Sequence, residues 1–285
     1  MSDRTELGAM YRMPTVFGPA PGPRNVPQLH QPRRYVHERT AAAIEALSEA
    51  APLARLLPPG CRQQGEPLIR VSVSWLRDLG WLAGRGYNIL TVQLPNVVFE
   101  AESKDIVGDF NAVVWESLCD PIITGREEIG FPKIWAEIPD ADLAPGERRA
   151  SASWMGYKFF ELNLVDLAPA AGAPPTALPV LTHKYIPRTG EWGAADADYM
   201  TASAPDPLQP VSQITGYETG RGEFLFRPAR WEDMPTQYPI VNALADLPLH
   251  EYRNVSVIMS SQGEVASSGG GNFSGQHIVR ERSRS

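Results

Sequence analysis

Hydrophobic and polar positions alternate along most of this chain. Ile69, Val71, Val73 and Trp75 face one way while Arg70, Ser72 and Ser74 face the other. That period of two marks a half-buried strand. Similar strand candidates fall at 88–94, 97–101, 111–115, 149–154, 159–164, 180–186, 212–219, 223–226 and 252–260. Two stretches read differently. Residues 40–50 (TAAAIEALSEA) put Ala43, Ile44, Leu47 and Ala51 on one helical face, with Pro52 as a stop, and 234–247 is a second helix-like stretch. About ten short strands and few helices predict an α+β fold, mostly antiparallel β, as a closed or partly closed barrel or sandwich with a few peripheral helices. No internal repeat is found.

The remainder divides the chain. Residues 1–33, with prolines at 14, 19, 21, 23, 27 and 32, read as an arm lying along the body without a core of its own. Residues 34–266 form the predicted domain, with 168–179 as a Pro-rich loop inside it. The Gly/Ser-rich, then Arg-rich tail 267–285 reads as a flexible extension.

Composition narrows the function classes. Twenty-seven prolines and 24 glycines are scattered without a period, which excludes collagen and disfavours long helices. A net charge of −7 argues against nucleic acid as a partner. Two cysteines make no disulfide framework and suit a reducing compartment. The N-terminus lacks a basic region followed by an apolar run, and no stretch nears the ~18 apolar residues of a membrane span. The expectation is a cytoplasmic protein with no membrane partner.

Several chemistries lack their residues. There is no phosphate-binding G-x-x-x-x-G-K-[ST] and no G-x-S-x-G elbow. Gly220-Arg221-Gly222 begins like a dinucleotide fingerprint but lacks the third glycine and the helix, so a turn is expected there. The five histidines never pair at ligand spacing and neither cysteine has a nearby partner, so no metal is expected. His183, between strand residues, reads as a packed or surface histidine.

Only four of the 26 basic residues are lysines, at 104, 133, 158 and 184. Lys133 stands between Phe131-Pro132 and Ile134-Trp135. Apolar surroundings strip hydration from an ammonium and favour the neutral amine. A neutral amine attacks a ketone, so this lysine is a candidate imine former. The competing reading is a lysine whose stem packs on Phe131 and Trp135 while its tip reaches water, the commoner fate on local composition alone.

The run Gly125-Arg126-Glu127-Glu128-Ile129-Gly130-Phe131-Pro132-Lys133 resembles the nucleophile segment of the acetoacetate decarboxylase family, where G-R-E precedes an aromatic-Pro-Lys. Met155-Gly156-Tyr157-Lys158 is similar to the family's M-G-Y-K strand, and Glu66-Pro67-Leu68-Ile69-Arg70 to its E-P-L-x-R start. Residues 242–249 resemble its N-D-L-P segment, and the arm from Met13-Pro14 to Arg24 resembles the opening of many members. The resemblance spans roughly 11–265. It implies a largely antiparallel closed β-structure, usually a homo-oligomer, that needs no cofactor. It also implies a small-molecule keto acid as substrate and Lys133 as the lysine that condenses with it. Acetoacetate decarboxylase is itself the standard example of a lysine activated by desolvation or a neighbouring cation.

This chain departs from the decarboxylases at several positions. The second lysine that follows their nucleophile is replaced by Ile134, and Ser72 stands where they carry a glutamate. An ungapped alignment puts Arg85 in place of a second glutamate. A less acidic pocket can hold a carboxylate, as in relatives that look like aldolases or dehydratases acting on 2-oxo acids such as pyruvate. The candidate site therefore comprises Lys133 as nucleophile, with Arg126, Glu127, Ser72, Arg85 and Phe131 around the substrate. Arg126 reads equally as a carboxylate clamp or as the ion-pair partner of Glu127 or Glu128. Lys158 reads as structural, and one of Arg33 and Arg34 is a further pocket candidate. Decarboxylation of a β-keto acid is the leading expectation. The alternatives are aldol or dehydration chemistry through the same imine, and a non-catalytic binding relative.

Overall fold

A computed structural model of the chain describes residues 11–27, 36–141, 144–205, 213–263 and 276–281. Thirteen strands form one sheet: β1 (Val36–Leu47), β2 (Cys61–Gln63), β3 (Leu68–Leu79), β4 (Arg85–Phe99), β5 (Ile106–Glu116), β6 (Lys133–Trp135), β7 (Arg148–Trp154), β8 (Tyr157–Pro169), β9 (Val180–Pro187), β10 (Ala195–Pro205), β11 (Gln213–Phe226), β12 (Glu251–Gly263) and β13 (Gln276–Glu281). Their order is β13-β10-β9-β5-β4-β3-β1-β12-β11-β8-β7, with β2 beside β4 and β6 beside β5. Pairing is antiparallel except where β5 meets β6 and β9. The sheet does not close on itself. Helices are few and short: α1 (Ala50–Ala54), α2 (Cys119–Thr124) and α3 (Tyr238–Ala245).

The expected helix at 40–50 is instead β1. Alanines at 41, 42 and 43 are apolar under either period, so the local pattern does not decide. Partners decide: β1 pairs along its length with β3 on one side and β12 on the other. Ala42, Ile44 and Ala46 then enter the core together, which outweighs alanine's helix propensity. Helix formation is left to the five residues of α1.

Other boundaries moved for local reasons. The candidates at 88–94 and 97–101 are one strand, β4, bent where Asn96 takes φ 54 and the register shifts. The Gly220-Arg221-Gly222 run lies inside β11 rather than in a turn. A Cβ at Gly220 would stand 2.5 Å from the Val165 carbonyl, so glycine permits the close approach to β8. Met155 (φ 48) and Gly156 (φ 87) form the tight hairpin between β7 and β8, which accounts for the M-G-Y-K motif. Residues 276–281, placed in the flexible tail by composition, form β13 against β10. The rest of 267–285, and residues 1–10 and 28–35 of the N-terminal region, lie outside the described residues.

One face of β1, β3, β4 and β5 makes the core. Ile44, Val71, Val73, Leu90, Val92 and Trp115 are buried there, and Trp115 packs on Phe159 at 5.2 Å. Helix α3 seats Val241 and Leu244 on this core. Beside it Gln237 accepts from Trp115 Nε1 at 2.8 Å and donates to the Trp135 carbonyl at 3.1 Å. The opposite face of the same four strands mixes polar and apolar side chains, and it carries the candidate site.

Candidate active site

Register defines this second face row by row. Lys133 lies opposite Val114, Val114 opposite Thr91, Thr91 opposite Ser72, and Ser72 opposite Ala43. The next row is Glu116, Ile89, Ser74 and Ala41, and beyond it stand Tyr87, Leu76 and Arg39. On the other side lie Asn111, Gln93, Arg70 and Glu45. Alternation places all of these on the side away from the core.

Lys133 is 8% exposed. Its Nζ donates to the Pro121 carbonyl at 3.2 Å and stands 5.8 Å from the centre of the Phe131 ring. Glu116, 0% exposed, faces it with Oε1 at 2.8 Å from Nζ. Apart from this contact with Lys133, neither Glu116 oxygen has a hydrogen-bond partner among the described residues. Burial raises the pKa of Glu116, and the Lys133 cation opposes that rise. A lysine and a carboxyl group held this close out of water can exchange a proton.

The motif around Lys133 positions it. α2 runs into one π-helical turn, Gly125–Ile129, that ends at left-handed Gly130 (φ 77). Gly125 is small because Lys133 lies against it: a Cβ there would stand 2.6 Å from Nζ. Arg126 donates to the Lys133 carbonyl at 3.0 Å and is otherwise exposed. Glu127 and Glu128 point to the N-terminal arm rather than to Arg126. Arg12, 3% exposed, donates to Glu127 at 2.8 Å and also binds Glu128, while Arg24 reaches Glu128 at 2.8 Å. Lys184 donates to the Glu127 carbonyl at 2.5 Å. The arm thus fastens the turn that carries the lysine's neighbours.

The structure gathers Lys133, Phe131 and Ser72 on or beside this face. It does not bring the other candidates to the lysine tip. Arg85 is exposed and donates to the Leu82 carbonyl at 3.2 Å. Glu127 lies in the arm's ion-pair network. Ile134, next along β6, turns the other way and packs on the core, so its side chain leaves the face that Lys133 occupies. Lys158 pairs with Glu161 at the surface, and His183 meets Asp198 at 2.8 Å.

Sequence reading missed three residues of this face. Glu116 falls one position beyond the strand candidate 111–115. Tyr87 falls one position short of the strand candidate 88–94, and Arg39 one position short of the helix expected at 40–50. Burial pushes the Tyr87 hydroxyl up, the Glu116 carboxylate adds to this, and the Arg39 cation opposes it. Arg39 itself is exposed by surface area, yet it is crowded enough for burial to lower its pKa. Arg39 Nε and Nη2 donate to Ser74 Oγ at 3.3 and 3.1 Å.

The acetoacetate decarboxylase family model matches residues 12–259. The chain belongs to that family. Among curated proteins there is no match. The fold is shared with a solved acetoacetate decarboxylase at 14% identity and TM-score 0.63, covering 88% of this chain and 92% of that one. It is shared with the acetoacetate decarboxylase of Legionella pneumophila at 17% identity and TM-score 0.61, over 90% and 89%. The enduracididine biosynthesis enzyme MppR, complexed with the condensation product of pyruvate and imidazole 4-carboxaldehyde, matches at 16% identity and TM-score 0.61, over 91% and 95%. At these identities the likeness establishes the family fold. No helix among the described residues is long and apolar enough to cross a membrane.

Proposed function

We propose that this protein is a carbon–carbon lyase that decarboxylates a β-keto acid through an imine on Lys133. The observation that carries the reading is the buried Lys133 amine set 2.8 Å from the wholly buried Glu116. In this mechanism Glu116 takes the ammonium proton and Nζ attacks the ketone carbon. The carbinolamine then loses water, with Glu116 returning a proton to the departing hydroxyl. The protonated imine draws the electrons of the bond to the carboxylate, and carbon dioxide leaves an enamine. Protonation at carbon and attack by water on the resulting imine release the ketone and restore the amine.

A second reading keeps the imine and changes its fate to aldol or dehydration chemistry on a 2-oxo acid. The likeness to MppR, whose bound ligand derives from pyruvate, favours it. Borohydride reduction in the presence of acetoacetate or pyruvate, followed by intact-mass and peptide mapping, tests the imine. The trapped carbon should sit on Lys133, and Lys133→Arg should trap nothing, because a guanidinium stays protonated. Adducts on Lys104, Lys158 or Lys184, or none at all, would overturn the imine. Release of carbon dioxide from the trapped substrate class separates the two fates.

A further inference from the structure

Arg39 is an open cation on the site face. Arg12, Arg24, Arg70 and Arg77 each meet a carboxylate. Arg39 meets no carboxylate among the described residues. Among the described residues it is held only by Ser74 Oγ, on a side chain that is itself 4% exposed. Ser74 engages Nε and Nη2, which fixes the plane of the guanidinium and leaves Nη1 and the second proton of Nη2 free. A fixed planar fork suits a carboxylate. The surroundings are small and apolar on the side toward the lysine: Ala41 and Ala43 follow Arg39 on the same face of β1, beside Ser72. These short side chains leave room for a ligand to lie along the sheet.

Arg39 and Lys133 stand on opposite sides of this face. Arg39 lies on β1 and Lys133 on β6, with β3, β4 and β5 between. The Lys133 tip meets Glu116 and the Arg39 guanidinium meets Ser74, and those two residues share one row with Ile89 between them, two strand spacings or about 10 Å apart. His37, next on the same face, is held below the ordinary histidine value by burial and by the Arg39 cation. A short keto acid with its carbonyl at Nζ does not span that distance. A longer chain does.

We propose that Arg39, braced by Ser74, binds a second carboxylate at the far end of the substrate, which makes the substrate a keto diacid. The inference rests on Lys133 as the carbonyl's anchor and adds what the opposite wall recognises. A charge-assisted bidentate contact favours the diacid about tenfold or more over a monoacid of the same length.

The test compares 3-oxoadipate with 3-oxohexanoate, equal in chain length and different by one terminal carboxylate. The parent protein should favour the diacid in kcat/KM for carbon dioxide release by tenfold or more, mainly through KM. Arg39→Gln should collapse that ratio toward one, and Arg39→Lys should restore part of it. Equal use of the two acids by the parent would overturn the proposal. So would an Arg39→Gln variant that weakens both acids in the same proportion, since that is the mark of a structural arginine. If the parent turns over neither acid and traps no adduct, the lyase reading fails, and calorimetry with hexanedioate and hexanoate decides Arg39 alone. A tenfold preference for hexanedioate that Arg39→Gln removes supports the site, and equal affinities reject it.

Discussion

Gly125→Ala separates the lysine's placement from the stability of the fold. Gly125 has φ −65 and ψ −38, an ordinary helical conformation that alanine adopts freely. The backbone therefore gains from the change, by up to about 1 kcal/mol of helix propensity. The three atoms nearest the added Cβ all belong to the Lys133 side chain, Cδ and Cε at 2.4 Å and Nζ at 2.6 Å. Ordinary contact starts near 3.4 Å, so Cδ and Cε must retreat by about 1.0 Å and Nζ by about 0.8 Å. A flexible tip makes that retreat without disturbing the core, but it leaves its place beside Glu116. Misplacing a reacting atom by about 1 Å costs on the order of 10²-fold in rate. The variant should thus melt at or slightly above the parent temperature while borohydride trapping of acetoacetate slows about 100-fold. Trapping at the parent rate would refute the placement of Gly125 against the lysine, and a large fall in melting temperature would refute the claim that the tip gives way cheaply.

Glu116→Gln keeps the shape of the group and removes its proton chemistry, so imine formation should slow by about 10²-fold or more in single-turnover trapping. Arg12→Met leaves Glu127 and Glu128 short of a buried cation and should cost about 3 kcal/mol in urea unfolding, Arg24 holding Glu128 in part. Cys61, its thiol pushed up to about 12 by burial and the Glu100 charge, should resist maleimide at pH 7.5 while exposed Cys119 reacts. Hydrogen bonds from Lys158 and then Arg227 hold Glu161 below the ordinary carboxyl value. A depressed carboxyl contributes stability above its unfolded pKa and loses it as pH falls through the lower folded one. Lys158→Met should therefore cost less than about 1 kcal/mol at pH 7, with the gap closing below about pH 4 and catalysis unaffected.

The strand-rich fold was legible because most strands bury one face, and burying one face writes a period of two into the sequence. Where the two faces resemble each other the pattern fails. Residues 41–43 of β1 are alanine on both sides, and β10 (ADADYMTASAP) buries Thr201 and Ser203 beside Met200, so its inner side reads as polar. Both strands are set by their neighbours in the sheet. The setting of Lys133 was legible for a different reason. Phe131-Pro132-Lys133 and the preceding Gly-Arg-Glu act on one another within nine residues, Gly125 by leaving room for the lysine and Arg126 by tying down the Lys133 carbonyl. The rest of the site was not local. Glu116, Tyr87 and Arg39 come from three strands and meet Lys133's face only through sheet register. Arg12 reaches the motif turn from 115 residues away in sequence. Spacing along one chain carries no trace of such contacts.

The charges near Lys133 bear on what an imine there would do. A carboxylate next to the imine carbon would sit close to Glu116, and the two arginines considered for holding it are engaged elsewhere. Arg126 donates to a backbone carbonyl and Arg85 is exposed beside Leu82. In its place the leaving group meets an anion and the apolar side chains of Phe131 and Val114. A carboxylate is poorly solvated there, while neutral carbon dioxide loses nothing by leaving, so the step toward it is the one that gains. A pocket built to retain that carboxylate needs a cation within reach of Nζ, and the open guanidinium of Arg39 stands across the sheet instead. Pyruvate, with its carboxylate bonded directly to the carbonyl carbon, cannot use both groups at once. A diacid can, placing one carboxylate in the unfavourable position beside Glu116 and holding the other where binding is strong. Binding energy gained at Arg39 would then drive the first carboxylate into surroundings that favour its departure.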